Sequence, residues 1–306
     1  MTKNYNLQAH NILLSLCAVL CFSIAQTAVA RTPVILTTIK PVHSLVSNLT
    51  KDITQPGLLL DSRQSPHDFQ LKPSDRRKIA QADIIIYVSG NIETYIAEIS
   101  NSFASHQQVI ELIKAPAITL LPIRAADHHH HHDHDADYDG HIWLSIKNAL
   151  AMTEYLYQKL SQYDPEHQPV YLRNKQQLIE QLSTAQTNIN QLLSPVRHKP
   201  YLTFHDAFQY FETEFNLTGS HFVTSSPEHI SSIKTVKHYK RLLQTKNIRC
   251  IYYEPPVMPK ILNTLQTNSN ASLLPLDPTG SDLQAGHSLY FELLNNLVNQ
   301  LYNCLK

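Results

Sequence analysis

The sequence predicts an α/β protein made of two parallel-sheet lobes joined by a long backbone helix. Three observations carry that prediction. Short β-rich runs alternate with helical segments on both sides of the chain's middle, the pattern of parallel sheets flanked by helices. "DIIIYVS" is an unbroken, mostly β-branched apolar run, as expected of a strand buried on both faces. Between the two alternating stretches lies one extended helical stripe, in which Leu178, Leu182, Ala185, Ile189 and Leu192 recur at steps of three and four.

The elements follow in order. "TPVILTTIKPVHSLVSNLT" opens as a strand and turns helical beyond Pro41, and "ITQPGLLLD" is a second apolar run. In "KPSDRRKIAQA", Ser74 is placed to cap a short helix. "DIIIYVS" is the buried strand, "IETYIAEIS" a helix and "QVIELI" a short strand. "HIWLSIKNALAMTEYLYQKLSQY" starts extended and becomes helical. Asp164-Pro165 offers an N-cap and an N1 proline for the long helix, which Ser194-Pro195 ends. The alternation then resumes with "YLTFHDA", "FQYFETEFN", "SHFVTSS", "SIKTVKHYKRLLQTK", "IRCIYYEP", "PKILNTLQTNS" and "SLLPLDP", and "HSLYFELLNNLVNQLYNCLK" closes the chain as a helix. The expected division is an N-terminal lobe over 31–163, a linking helix over 164–194 and a C-terminal lobe over 195–306.

Composition limits the function. The formal net charge is zero, which gives no reason to expect nucleic-acid binding. Only six glycines occur, and neither phosphate-loop glycine motifs nor GxSxG is present. At the N-terminus a lysine precedes the apolar stretch Ile12–Ala25, and Ala28-Val29-Ala30 follows. This reads as a Sec-type signal peptide over 1–30, cut after Ala30, and the apolar run is shorter than the roughly 20 residues of a membrane span. The mature chain is then expected in the periplasm, with Cys250 and Cys304 as an even pair in an oxidising compartment, forming a disulfide between the final helix and a strand.

Four residues stand at junctions of elements and loops: His67 in "SPHDF", His205 in "LTFHDAF" and Asp277 in "LLPLDPTG" after apolar runs, and His141 in "GHIWLS" at the start of an element. Ligands of open α/β sheets gather at such positions. Three imidazoles and one carboxylate suit tetrahedral zinc, placed in the cleft between the lobes. Asp68 and Asp206 directly follow His67 and His205 and are candidates to orient those rings. A separate tract holds His128, His129, His130, His131, His132 and His134, interleaved with Asp127, Asp133, Asp135, Asp137 and Asp139. It lacks apolar periodicity and reads as a solvated loop of weak, exchangeable zinc sites.

"PHDFQLKPSDRRKIAQADIIIYV", "HIWLS", "YLTFHDAFQYF", "CIYYEP" and "LDPTG" together resemble the cluster A-I metal-receptor family, in particular the zinc-binding periplasmic receptors of ABC importers. The resemblance spans nearly the whole mature chain, including the acidic histidine loop and the cysteine pair. It implies two α/β lobes on a rigid backbone helix, metal held in the cleft, and delivery of Zn2+ to a membrane permease driven by its ATPase. It makes His67, His141 and His205 metal ligands, with Asp277 or water as the fourth. The glutamate that precedes the first histidine in some zinc members is replaced here by Pro66. Manganese receptors of the family tend to carry a carboxylate where His205 stands, so a third imidazole favours zinc. His221 matches an auxiliary zinc position in some relatives. The expected protein is a monomeric binding protein and not an enzyme. The alternatives are a manganese or other divalent-metal receptor, a metal-binding adhesin, and a zinc hydrolase, for which HExxH is missing.

Overall fold

The computed structural model describes residues 31–60, 64–99, 102–124, 138–225 and 233–306. The proposed signal peptide and the tract from His128 to His134 lie outside these residues. Pro33–Lys306 forms one compact unit.

The first sheet contains β1 (Ile35–Thr37), β2 (Gly57–Leu58), β3 (Ile84–Tyr87) and β4 (Gln108–Glu111) in the order β2-β1-β3-β4, all parallel. Its helices are α1 (Lys40–Leu49), α2 (Pro73–Gln81) and α3 (Thr94–Ile99). Ile84, Ile85 and Ile86 are fully buried, as an isoleucine run covered on both faces requires. The second sheet repeats the plan with β5 (Tyr201–His205), β6 (Ser220–Thr224), β7 (Cys250–Tyr253) and β8 (Ser272–Pro275) in the order β6-β5-β7-β8, again parallel. Between the sheets run α4 (Ile146–Tyr163) and α5 (Gln168–Leu193), which pack on each other. Then come α6 (Gln209–Phe215), α7 (Ile233–Thr245), α8 (Lys260–Gln266) and α9 (Leu289–Leu305). The α/β class with two parallel sheets is therefore as expected.

Several local expectations change. Ser74 lies inside α2 and does not cap it; Asp75 reaches back to the Lys72 amide at 2.9 Å, and Pro73 starts the helix. Ile142–Leu144, expected extended, is a turn of 3-10 helix. Pro165–His167 is also 3-10, so α5 begins at Gln168, and Asp164 bonds His167 and Tyr171 with its side chain. The buried stripe of α5 ends on Leu193, while Leu192 is exposed; four residues beyond Ile189 restores the buried face.

The closing helix does more than complete the second half. α9 packs against both α1 and α5. Ser44 Oγ donates to the His287 carbonyl at 3.0 Å and accepts from the Tyr290 amide at 3.0 Å. Lys40 Nζ donates to the carbonyls of Ser281 and Leu283. The Trp143 indole donates to the Pro278 carbonyl at 2.7 Å, and Tyr290 returns a bond to the Trp143 carbonyl. Cys250 and Cys304 form the expected disulfide, fixing α9 to β7. One continuous apolar core joins side chains from β1, α1, α4, α5 and α9. The loop after β8 is thus anchored to the first half of the chain.

Candidate metal centre

Three imidazoles from distant segments meet. His67 comes from the loop after β2, His141 from the residue before the 3-10 turn at Ile142, and His205 from the carboxyl end of β5. Their ring centroids stand 5.3, 5.4 and 5.1 Å apart, nearly an equilateral triangle. One nitrogen from each lies within 4.8 Å of the others. His67 Nε2 and His141 Nε2 are 3.3 Å apart. The edge of a tetrahedron with zinc–nitrogen bonds of 2.0–2.1 Å is about 3.3–3.4 Å, so this pair has the spacing of two ligands on one ion. His205 Nε2 is buried and without a hydrogen-bond partner, an arrangement that a buried nitrogen avoids unless it has another use.

The second nitrogen is fixed in two of the rings. Asp139 Oδ1 accepts from His141 Nδ1 at 2.7 Å and from the His141 amide at 3.0 Å. Glu254 Oε1 accepts from His205 Nδ1 at 2.7 Å. A carboxylate on Nδ1 places the proton there and turns Nε2 toward the site as a free lone pair. Gly140 separates Asp139 from its histidine because a Cβ there would sit 2.3 Å from Ile92 Cγ1. The wall behind it leaves no room for a side chain.

These partners are not the ones expected. Asp68 is exposed, and Asp206 turns away to pair with Arg124. Successive residues at a strand end point to opposite sides, so the immediate neighbour of His205 cannot easily reach its ring. Glu254 occupies the end of β7, a position that the rule used for Asp277 would also have selected. Asp139 was hidden among the carboxylates of the acidic tract; by its contacts it belongs to the histidine cluster.

Asp277 lines the same small cavity, together with His67, His141, Trp143, Glu254 and Ser281. Its oxygens are already engaged. Oδ1 accepts from the Thr279 amide and hydroxyl and from the Gly280 amide, and Oδ2 from the Ser281 amide and hydroxyl. It organises its own loop, whose Gly280 has φ of 69°, and the group of converging ligand atoms among the described residues consists of the three histidines alone. His221 lies on edge strand β6, outside that group.

Electrostatics differ among the rings. Burial, reinforced by the neighbouring His141 and His205, holds His67 well below the usual histidine range. Burial also pulls His205 down, but the carboxylate of Glu254, with Asp206 and Asp139, outweighs it and leaves His205 raised. The cavity is about 30 Å³, room for an ion with one or two water-sized ligands.

The chain matches the family described as zinc-uptake complex component A, periplasmic, over residues 35–304. It is 30% identical to the high-affinity zinc uptake system protein ZnuA of Brucella abortus, with 89% of this chain and 91% of that protein covered. A crystal structure of ZnuA superposes with a TM-score of 0.77 at 18% identity, covering 90% of this chain and all of the other. A mutant of the laminin-binding adhesin Lmb from Streptococcus agalactiae gives the same TM-score at 22% identity and the same coverage; at such identity the likeness is one of fold. Three converging imidazoles, a cavity of ionic size and a match over nearly the whole described length lead to one assignment: this chain belongs to the family of periplasmic zinc-uptake complex component A.

Proposed function

We propose that the protein is a zinc receptor of the periplasm that captures Zn2+ and delivers it to an ABC importer. The observation that carries this reading is the convergence of His67, His141 and His205 on one point, with Asp139 and Glu254 setting the tautomers of two of them. Zinc is the cargo. Three neutral nitrogens suit it better than manganese, which prefers oxygen. The fourth position is taken by water, because Asp277 would have to give up the three hydrogen bonds on Oδ1 or the two on Oδ2 to enter. The ion is bound and handed on without chemical change to any substrate.

The chain is exported by its N-terminal 30 residues, which are then removed. It acts as a monomer, with lobes over 31–163 and 195–306 linked by the 164–194 segment, and docks directly on the permease, which the ATPase drives. His128 to His134, with His221, gather zinc weakly beside the tight centre. Two experiments test this reading. Zinc uptake should fall in a strain lacking the protein under zinc limitation; wild-type uptake there would sink the transport role. Purified protein should take up zinc in preference to manganese when both are offered; the opposite preference would sink the cargo assignment.

A further inference from the structure

We infer that Arg124 is a positioning residue for zinc: it ties the segment that carries the His141 assembly to the strand end that carries His205. The inference rests on the reading that these histidines bind the ion. Arg124 follows β4 by a long connection and belongs to the first half of the chain. Its Nε donates to Asp206 Oδ2 at 2.8 Å, and Nη2 donates to the other Asp206 oxygen and to Glu212 Oε2 at 2.8 Å. Asp206 is the residue after His205, and its amide is held by the Thr224 carbonyl at 3.0 Å. Glu212 lies on α6, and its second oxygen accepts from Tyr201 Oη at 2.9 Å. The guanidinium also lies 5.0 Å from the centre of the Phe222 ring on β6. One side chain therefore contacts the His205 strand end, the helix that follows it and the neighbouring strand.

The other end of the linkage is equally defined. Three residues before Arg124, the Leu121 carbonyl accepts from the Asp139 amide at 2.8 Å, and the Leu121 amide donates to Tyr210 Oη at 3.1 Å. Tyr210 Oη in turn donates to the Asp139 carbonyl at 2.6 Å. Asp139 is the carboxylate that holds His141. The path from His141 through Asp139, Leu121 and Arg124 to Asp206 and His205 has no unbonded step. The Asp206 and Glu212 side chains are only 5% and 4% exposed, while Arg124 is 30% exposed. Two buried carboxylates need a shared cation, and a two-pronged guanidinium fixes direction as well as charge. Lysine would supply the charge without the fork.

The test compares Arg124→Lys with wild type in two measurements. The first is zinc release into excess chelator after mixing. The second is amide hydrogen exchange of Leu121 and Asp139 in the metal-free protein. Arg124→Lys should release zinc about tenfold faster, the lower end of the effect of losing a partner that orients a ligand, with association changed less than release. The two amides should exchange faster. Release and exchange both at wild-type rates would overturn the inference, as would faster release with unchanged exchange at both amides. If Arg124→Lys fails to fold, Arg124→Gln combined with Glu212→Gln, which leaves one unpaired carboxylate where Arg124→Gln alone would leave two, is read against the same outcomes. His205→Ala is the control: zinc binding there equal to wild type would remove the three-histidine reading itself, a failure distinct from that of the clamp.

Discussion

Glu254 offers the sharpest single perturbation of the centre. Its Oε1 holds His205 Nδ1 at 2.7 Å, and its side chain remains 24% exposed. A hydrogen bond to a charged group contributes roughly 1.5–3 kcal/mol; partial solvent screening favours the lower part of that range. Glu254→Ala should therefore weaken zinc binding by about 10–30-fold. Glu254→Gln should lose less, since an amide oxygen still accepts from Nδ1. The pH dependence gives an independent check. Glu254 is the main cause opposing burial at His205, so its removal lowers that ring's pKa. In wild type a raised pKa lets the proton compete with zinc up to a higher pH. Without the carboxylate that competition begins at lower pH, while the affinity at high pH is reduced. The assay is competition against a chelator of known affinity across about pH 5–8, the range in which imidazoles titrate. Wild-type affinity in Glu254→Ala throughout that range would refute the claim that this carboxylate sets the ligand.

Three further outcomes are expected. Asp277→Asn should change zinc affinity by less than about tenfold, because its carboxylate serves its own loop; a hundredfold loss would make it a ligand. Glu93 is fully buried, accepts from the Val88 and Ser89 amides, and burial raises it to about 7. Folding then takes up a proton between pH 4.5 and about 7, so its contribution is largest below the lower value and lost as pH rises, on the order of 3 kcal/mol in all. Glu93→Gln should flatten that slope in denaturant melts of the metal-free protein, and an unchanged slope would contradict it. Reducing the Cys250–Cys304 bond, whose ends are 54 residues apart, should lower unfolding free energy by about 4 kcal/mol by loop entropy; an unmoved denaturation midpoint would show the bond to be dispensable.

Much of the site was legible because parallel sheets bring the carboxyl ends of their strands to one side. That placed His67 and His205, which follow β2 and end β5, on one side; His141, expected at the start of an extended element, instead precedes a 3-10 turn. The orienting carboxylates were harder. Asp206 looked suitable by adjacency, yet the alternation of side chains at a strand end sends it to Arg124. Asp139 was masked by the composition of the tract that precedes it. Asp277 does follow β8, but a sequence does not show how many amides its loop will offer one carboxylate. The bonds from Ser44, Trp143 and Lys40 to residues 278–290 link positions more than 130 apart in sequence, beyond anything periodicity conveys.

The central claim is that one tight zinc site consists of His67, His141 and His205, separate from the histidine-rich tract. The most direct test is a zinc titration, with metal content measured, of wild type, His205→Ala and a variant in which residues 125–137 are replaced by a short glycine–serine linker that spares Asp139. The account predicts one tight site in wild type, its affinity reduced at least about a hundredfold in His205→Ala, and the tight site retained in the linker variant with less total zinc. Loss of the tight site in the linker variant, or its survival in His205→Ala, would contradict the account.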